Sequence, residues 1–77
     1  MMLRNGYRES YSDAEKFFFE KFKGTEEEEH FKNTLKYIDK YGLLHEVIVL
    51  AYNYCDDDAS VEKCCQELLS AMMEWDL

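Results

Sequence analysis

The sequence predicts an all-α fold, a small four-helix domain with a buried apolar third helix and an irregular N-terminal arm. Its 77 residues contain no proline, so no helix is interrupted by that residue. Two segments begin with the Ser/Thr-x-x-Glu pattern of a capping box, in which two side chains satisfy free backbone N–H groups at a helix start. Apolar residues recur every three or four positions, which is the spacing of a helix with one buried face. A chain of this length is expected to form a single domain, residues 1–77.

The first helix is predicted over residues 13–23. Residues 1–11 show no clear periodicity, and we interpret them as the irregular arm. Ser12 and Glu15 form the capping box at the start of the helix. Gly24 is expected to end it, because glycine accepts the left-handed backbone conformation that follows many helices. The apolar stripe of this helix consists of Ala14, Phe18 and Phe22.

The second helix is predicted over residues 26–41. Thr25 and Glu28 repeat the capping box, and Gly42 is the expected stop. The four glutamates at 26–29 fill the first turn, where the helix dipole favours negative charge. The apolar stripe of this helix consists of Phe31, Leu35, Ile38 and Tyr41.

The third helix is predicted over residues 43–55. Its length of about a dozen residues favours a helix over a strand. The segment is apolar nearly all round, which is typical of a helix buried on more than one side. His45, Val49 and Tyr52 form a second stripe opposite the main apolar face. This stripe is either buried within the domain or left exposed for self-association in a symmetric homodimer.

The fourth helix is predicted over residues 59–75, after three consecutive aspartates. Asp58 or Ser60 is the expected N-cap, because both side chains can accept a hydrogen bond from a free backbone N–H. The apolar stripe of this helix consists of Val61, Cys64, Cys65, Leu68, Met72 and Trp75.

Charge and composition limit the classes of partner. The net charge is −8, and the last 22 residues carry seven acids against Lys63 alone. Such acidity disfavours direct binding to nucleic acid or anionic membranes and favours basic protein surfaces. The N-terminus lacks the apolar core of a signal peptide, and no apolar run reaches the roughly 18 residues of a membrane helix. Three cysteines without a framework spacing predict free thiols and a cytoplasmic location.

No motif predicts catalysis, a metal site or a cofactor. The histidines and cysteines lack the paired spacing of zinc ligands. A calcium loop beginning at Asp56 fails because Val61 occupies the position that requires glycine. We therefore expect a protein that is not an enzyme, binds no metal and uses no cofactor. Buried cysteines are expected to behave as small apolar residues.

Two acidic clusters are the candidate partner-binding residues. They stand at predicted helix starts, where capping would explain them, or they form a carboxylate array that imitates phosphates. The sequence predicts a small acidic protein-interaction module, compatible with an inhibitor of a nucleic-acid-handling protein from a phage or mobile element. The alternative is a self-associating structural subunit that uses the central helix. The candidate partner-binding residues are Glu26, Glu27, Glu29, Asp56, Asp57 and Asp58.

Overall fold

The structure, a computed structural model, describes residues 10–77. Within that range the chain forms four helices and no strand, which confirms the predicted all-α class. The helices are α1 (Tyr11–Phe22), α2 (Glu28–Lys40), α3 (Leu44–Asn53) and α4 (Val61–Glu74). Most of the predicted arm lies outside the described residues, but its last residue, Tyr11, already belongs to α1. The other three helices lie within their predicted ranges and are one or two residues shorter at each end.

The central position of α3 explains its apolar composition. This helix packs against α1, α2 and α4, and most extensively against α4 and α1. Val47, Ile48 and Ala51 are almost completely inaccessible to solvent. The buried third helix therefore follows from the contacts it makes on several sides, as its apolar composition predicted.

Aromatic side chains form the centre of the contact between α1 and α2. The rings of Phe22 and Phe31 are stacked, with centroids 4.6 Å apart. Phe18 lies beside both rings, with centroid distances of 6.3 Å to Phe22 and 6.2 Å to Phe31. The predicted stripe of α1 is buried along its whole length, since Ala14 is inaccessible as well. Closely packed aromatic rings contribute much buried area to a domain of this size.

Two residues predicted to be in the core are exposed instead. Tyr41 is 53% exposed and Trp75 is 44% exposed. Each follows the last residue of its helix, where the chain turns and the helical spacing no longer fixes the side chain's direction. The core positions at the end of α4 are taken by the buried Ala71 and the half-buried Leu77.

The end of α4 is a Schellman motif. The backbone N–H of Leu77 donates to the carbonyl oxygen of Met72 at 3.0 Å, and that of Asp76 donates to Met73 at 3.1 Å. Asp76 has the left-handed φ of 58° that this motif requires. Leu77 and Met72 both pack against the core. The chain therefore folds back under the helix and leaves Trp75 on the outside.

The first predicted capping box is wrong. Ser10, not Ser12, is the N-cap of α1, and its hydroxyl accepts a hydrogen bond from the Asp13 N–H at 3.3 Å. Glu15 accepts from the hydroxyl of Tyr11 at 3.0 Å instead of reaching a free backbone amide. The helix therefore begins one half-turn earlier than the pattern at residues 12–15 indicated.

The second capping box also differs from its prediction. A turn at residues 25–28 delays the start of α2 to Glu28. Thr25 accepts from the Glu27 N–H at 3.3 Å, and Glu28 accepts from the Gly24 N–H at 3.4 Å. Both side chains satisfy backbone amides, but not the reciprocal pair of a capping box. The predicted stops at Gly24 and Gly42 are confirmed by positive φ angles of 76° and 72°.

The caps make a prediction about stability. Ser60 is the N-cap of α4 and accepts a hydrogen bond from the Lys63 N–H at 3.1 Å. Ser60→Ala is expected to lower the free energy of unfolding by about 0.5–2 kcal/mol, because it removes that acceptor. Ser12→Ala is the control, since Ser12 is exposed inside α1 and is not its cap. Urea denaturation of both variants measures the difference, and an equal loss in the two variants would contradict these caps.

Candidate protein-binding surface

The order of the helices brings three chain segments to one end of the molecule. Lys21, in the last turn of α1, donates from its ammonium group to the backbone oxygen of Asp57 at 3.2 Å. Glu26 and Glu27, which precede α2, line a shallow cavity together with Glu62 at the start of α4. The end of α1, the start of α2 and the connection between α3 and α4 are therefore neighbours.

Both predicted acidic clusters lie at this end, although about thirty residues of sequence separate them. All their side chains are exposed except that of Glu27, which is half-buried. We call this set the acidic pole, and it consists of Glu26, Glu27, Glu29, Asp56, Asp57 and Asp58. Carboxylates of this kind are negatively charged at neutral pH. The structure thus places the two clusters at the same end of the molecule, and their role in binding stays a prediction.

Helix capping leaves most of this charge unexplained. The N-cap of α4 is Ser60, so the aspartates at 56–58 do not hold that position. Glu27 occupies the N-cap position of α2, but its side chain makes no capping hydrogen bond. The first turn of α2 does contain Glu28 and Glu29, where the helix dipole favours acids. Part of one cluster therefore lies in the first turn of a helix, whereas residues 56–58 lie in the connection between α3 and α4.

The stripe predicted for self-association is mostly buried. Val49 is 2% exposed and Tyr52 is 5% exposed, whereas His45 is exposed. The ring of Tyr52 contacts Phe17 at a centroid distance of 5.3 Å, and the ring of His45 stacks on Tyr11 at 5.7 Å. Of the two interpretations of this stripe, the structure supports burial for Val49 and Tyr52. A dimer through the stripe would require both side chains to leave the core, and self-association itself stays a prediction.

An apolar groove between α2 and α4 was not predicted from the sequence. It encloses a cavity of about 330 Å³, and Phe22, Phe31 and Leu68 form its inner wall. Leu69 lies at its margin and is 58% exposed. One signal for it was present in the sequence: Leu69 is a large apolar residue outside the predicted core stripe of its helix.

Two of the three cysteines form a contact inside the core. Cys55 and Cys64 are inaccessible to solvent and are joined by a side-chain hydrogen bond. That hydrogen bond, together with burial, raises the pKa of Cys55, and the same hydrogen bond lowers the pKa of Cys64. Burial raises the pKa of the half-buried Cys65. All three are free thiols, and Cys55 and Cys64 act as small packing residues between α3 and α4.

The burial of a carboxylate on α4 was also not predicted from the sequence. Glu67 lies on the face that carries Cys64 and Ala71, and its Oε2 atom is 3.3 Å from the ammonium nitrogen of Lys63. Lys63 and Glu67 therefore form an ion pair, but the Oε2 atom of Glu67 accepts no hydrogen bond from the described residues. Burying a carboxylate is unfavourable unless a cation compensates it, which Lys63 does here. The (i, i+4) spacing of Lys63 and Glu67 resembles an ordinary surface pair, so the sequence alone gives no sign of burial.

The opposite end of the molecule carries a partly buried tyrosine. Burial and the hydrogen bond to Glu15 raise the pKa of Tyr11 to about 12. Tyr11 also lines a shallow cavity with Asp39 and His45. This end provides control positions for the experiments below.

Two further findings concern residues 10–77 as a whole. Within this range no three metal-binding side chains are grouped so that they could hold an ion. No helix in the same range is both long and apolar enough to span a membrane.

The chain was compared with protein-family models, curated proteins and solved structures, and it matches none of them.

Proposed function

We propose that this chain is a non-enzymatic binding module whose acidic pole engages a basic surface of another protein. The observation that supports the proposal is that residues 26–29 and 56–58 lie at the same end of the molecule. Separate helix starts would give two local patches of charge, whereas this arrangement gives one larger region of net negative charge, with the ammonium group of Lys21 beside Asp57. The field of such a region accelerates encounter with an oppositely charged surface.

The partner class we propose is a protein that handles nucleic acid. Its phosphate-binding surface is built from lysine and arginine, which recognise carboxylates by the same charge-assisted hydrogen bonds. Exposed carboxylates on two neighbouring connections present negative groups in an array, as a nucleic-acid backbone does. Binding of the chain would therefore exclude nucleic acid from that surface, and the chain would act as an inhibitor.

The test is a charge reversal with a matched control. Glu26→Lys with Asp56→Lys places two positive charges in the acidic pole, one in each cluster. Asp39→Lys with Glu46→Lys makes the same change in net charge at exposed positions near the opposite end. Immobilised wild-type chain and both double variants are used to capture a partner from the native host. Capture is then repeated in about 0.05 M and 0.5 M salt, because the higher concentration screens exposed charges.

We expect the acidic-pole variant to lose most of the captured protein and the control variant to retain it. The captured protein is expected to bind nucleic acid, and added wild-type chain is expected to displace that nucleic acid. Equal capture by the two double variants, or capture that does not change with salt, would contradict the proposal. Circular dichroism of both variants checks that the helices are intact.

A further inference from the structure

We infer that the groove between α2 and α4 binds an amphipathic helix of the partner protein, with basic residues beside its apolar anchors. This inference rests on the proposed function, because it names the segment of the basic partner protein that the binding module would hold. The acidic pole provides a long-range attraction, and the groove provides apolar surface that only a fitting segment can bury.

The length of the groove matches a helix. Its walls run from Glu27 to Thr34 along α2 and from Cys65 to Met72 along α4. Each wall therefore spans two turns, or about 11 Å at a rise of 1.5 Å per residue. Helices that bind in grooves insert apolar side chains at positions i, i+3 or i+4, and i+7, which also span two turns.

The interior of the groove suits apolar anchors. The aromatic rings of Phe22 and Phe31 form one side of the inner wall, and Leu68 forms the other. α2 and α4 touch each other little, since each packs mainly on other helices. A cavity of about 330 Å³ between them is large enough for a few side chains and lies at the lower limit for a small-molecule site.

Charge complementarity indicates a basic helix. Glu27 lines the groove and also the adjoining shallow cavity, which contains Glu26 and Glu62. Among the described residues, no lysine or arginine lines either cavity, and His30 is the one side chain there that can carry positive charge. One end of the groove therefore opens directly onto the acidic pole. Lysines or arginines on the bound helix would lie against these carboxylates, whereas acidic residues would be repelled.

The test uses the whole folded chain and a library of random 16-residue peptides displayed on phage. Selection against wild type is expected to enrich peptides with apolar residues at helical spacing and an excess of lysine and arginine. Leu69→Ser is the site variant, because Leu69 lines the groove and its exposure makes the change compatible with folding. Met73→Ser is the matched control, since Met73 is 74% exposed on the same helix but does not line the groove.

Binding of the enriched peptides is measured by fluorescence anisotropy. Leu69→Ser is expected to raise the Kd by about tenfold, because it removes a large apolar side chain from the lining of the groove, and Met73→Ser by less than about twofold. Replacing the peptides' lysines and arginines by glutamate is expected to weaken binding by at least about tenfold. Failure to enrich helical basic peptides, or equal Kd values for the two Ser variants, would overturn the inference. A wild-type dimer that Leu69→Ser dissociates would also overturn it, by identifying a second copy as the occupant.

These outcomes are separable from those of the charge reversal. If peptide binding does not depend on Leu69 but partner capture still requires Glu26 and Asp56, the groove is not the binding site and the proposed function is retained. If peptide binding depends on Leu69 but partner capture does not depend on the two acids, the groove is retained as a binding site and the acidic pole is not the binding surface.

Discussion

Val49→Glu is expected to lower the free energy of unfolding by about 3–5 kcal/mol, because it places a carboxylate without a cation inside the core. Val49 is 2% exposed on α3. A domain of this size has a total stability of roughly 4–12 kcal/mol, so this loss would remove a large part of it. Leu69→Glu introduces the same side chain at an exposed position and is expected to change stability by less than about 0.5 kcal/mol. Urea denaturation followed by circular dichroism compares the two.

The loss in Val49→Glu should depend on pH. Burial raises the pKa of a carboxyl group above its unfolded value of about 4.3, since it disfavours the charged form. The folded variant is therefore least destabilised below that pH, where both states are protonated, and loses stability as the pH rises through the folded pKa. We expect a smaller difference from wild type at about pH 4 than at about pH 7. Equal losses in Val49→Glu and Leu69→Glu would show that Val49 faces solvent and would restore the stripe of residues 45, 49 and 52 as a surface.

Phe18→Ala is expected to have a similarly large effect, about 3–5 kcal/mol, because it opens a cavity in the aromatic core. Phe18 is inaccessible to solvent and touches the rings of Phe17, Phe22 and Phe31. Trp75→Ala removes a larger side chain but is expected to cost less than about 1 kcal/mol, because Trp75 is 44% exposed beyond the end of α4. Far-ultraviolet circular dichroism is the suitable signal, since one variant lacks the single tryptophan. A greater loss in Trp75→Ala than in Phe18→Ala would contradict the described core.

The middle of each helix could be predicted from the sequence, whereas the ends could be predicted only in part: the stops at Gly24 and Gly42 were correct, and the start of α1 was not. Phe18 and Ile38 stand in regular apolar stripes, and both are buried. At the start of α1, Ser10 and Ser12 each precede an acid by three residues, so the local pattern does not choose between them. The stacking of Tyr11 on His45 is a contact between helices that accompanies the earlier start. Tyr41 likewise has the spacing of the apolar stripe of α2, but its side chain is exposed because it lies beyond the last residue of the helix.

The candidate site shows the same division. The acids at 26–29 and 56–58 were evident from the sequence, but their position at the same end of the molecule depends on how α1 and α4 are placed. The groove is a space between two helices, and no local pattern describes such a space. The two interpretations of Val49 could be separated only by the packing around α3. The candidate side chains could thus be identified from the sequence, whereas tertiary contacts determine which of them are exposed near one another.

The claim that the acidic pole is the binding surface is tested most directly by nuclear magnetic resonance of the labelled chain. Backbone amide signals are recorded before and after addition of the captured partner at low salt. We expect the largest shifts or losses of intensity at residues 26–29 and 56–58, with little change at Asp39 and Glu46. Changes concentrated at Asp39 and Glu46, with the signals of residues 26–29 and 56–58 unaltered, would contradict the claim.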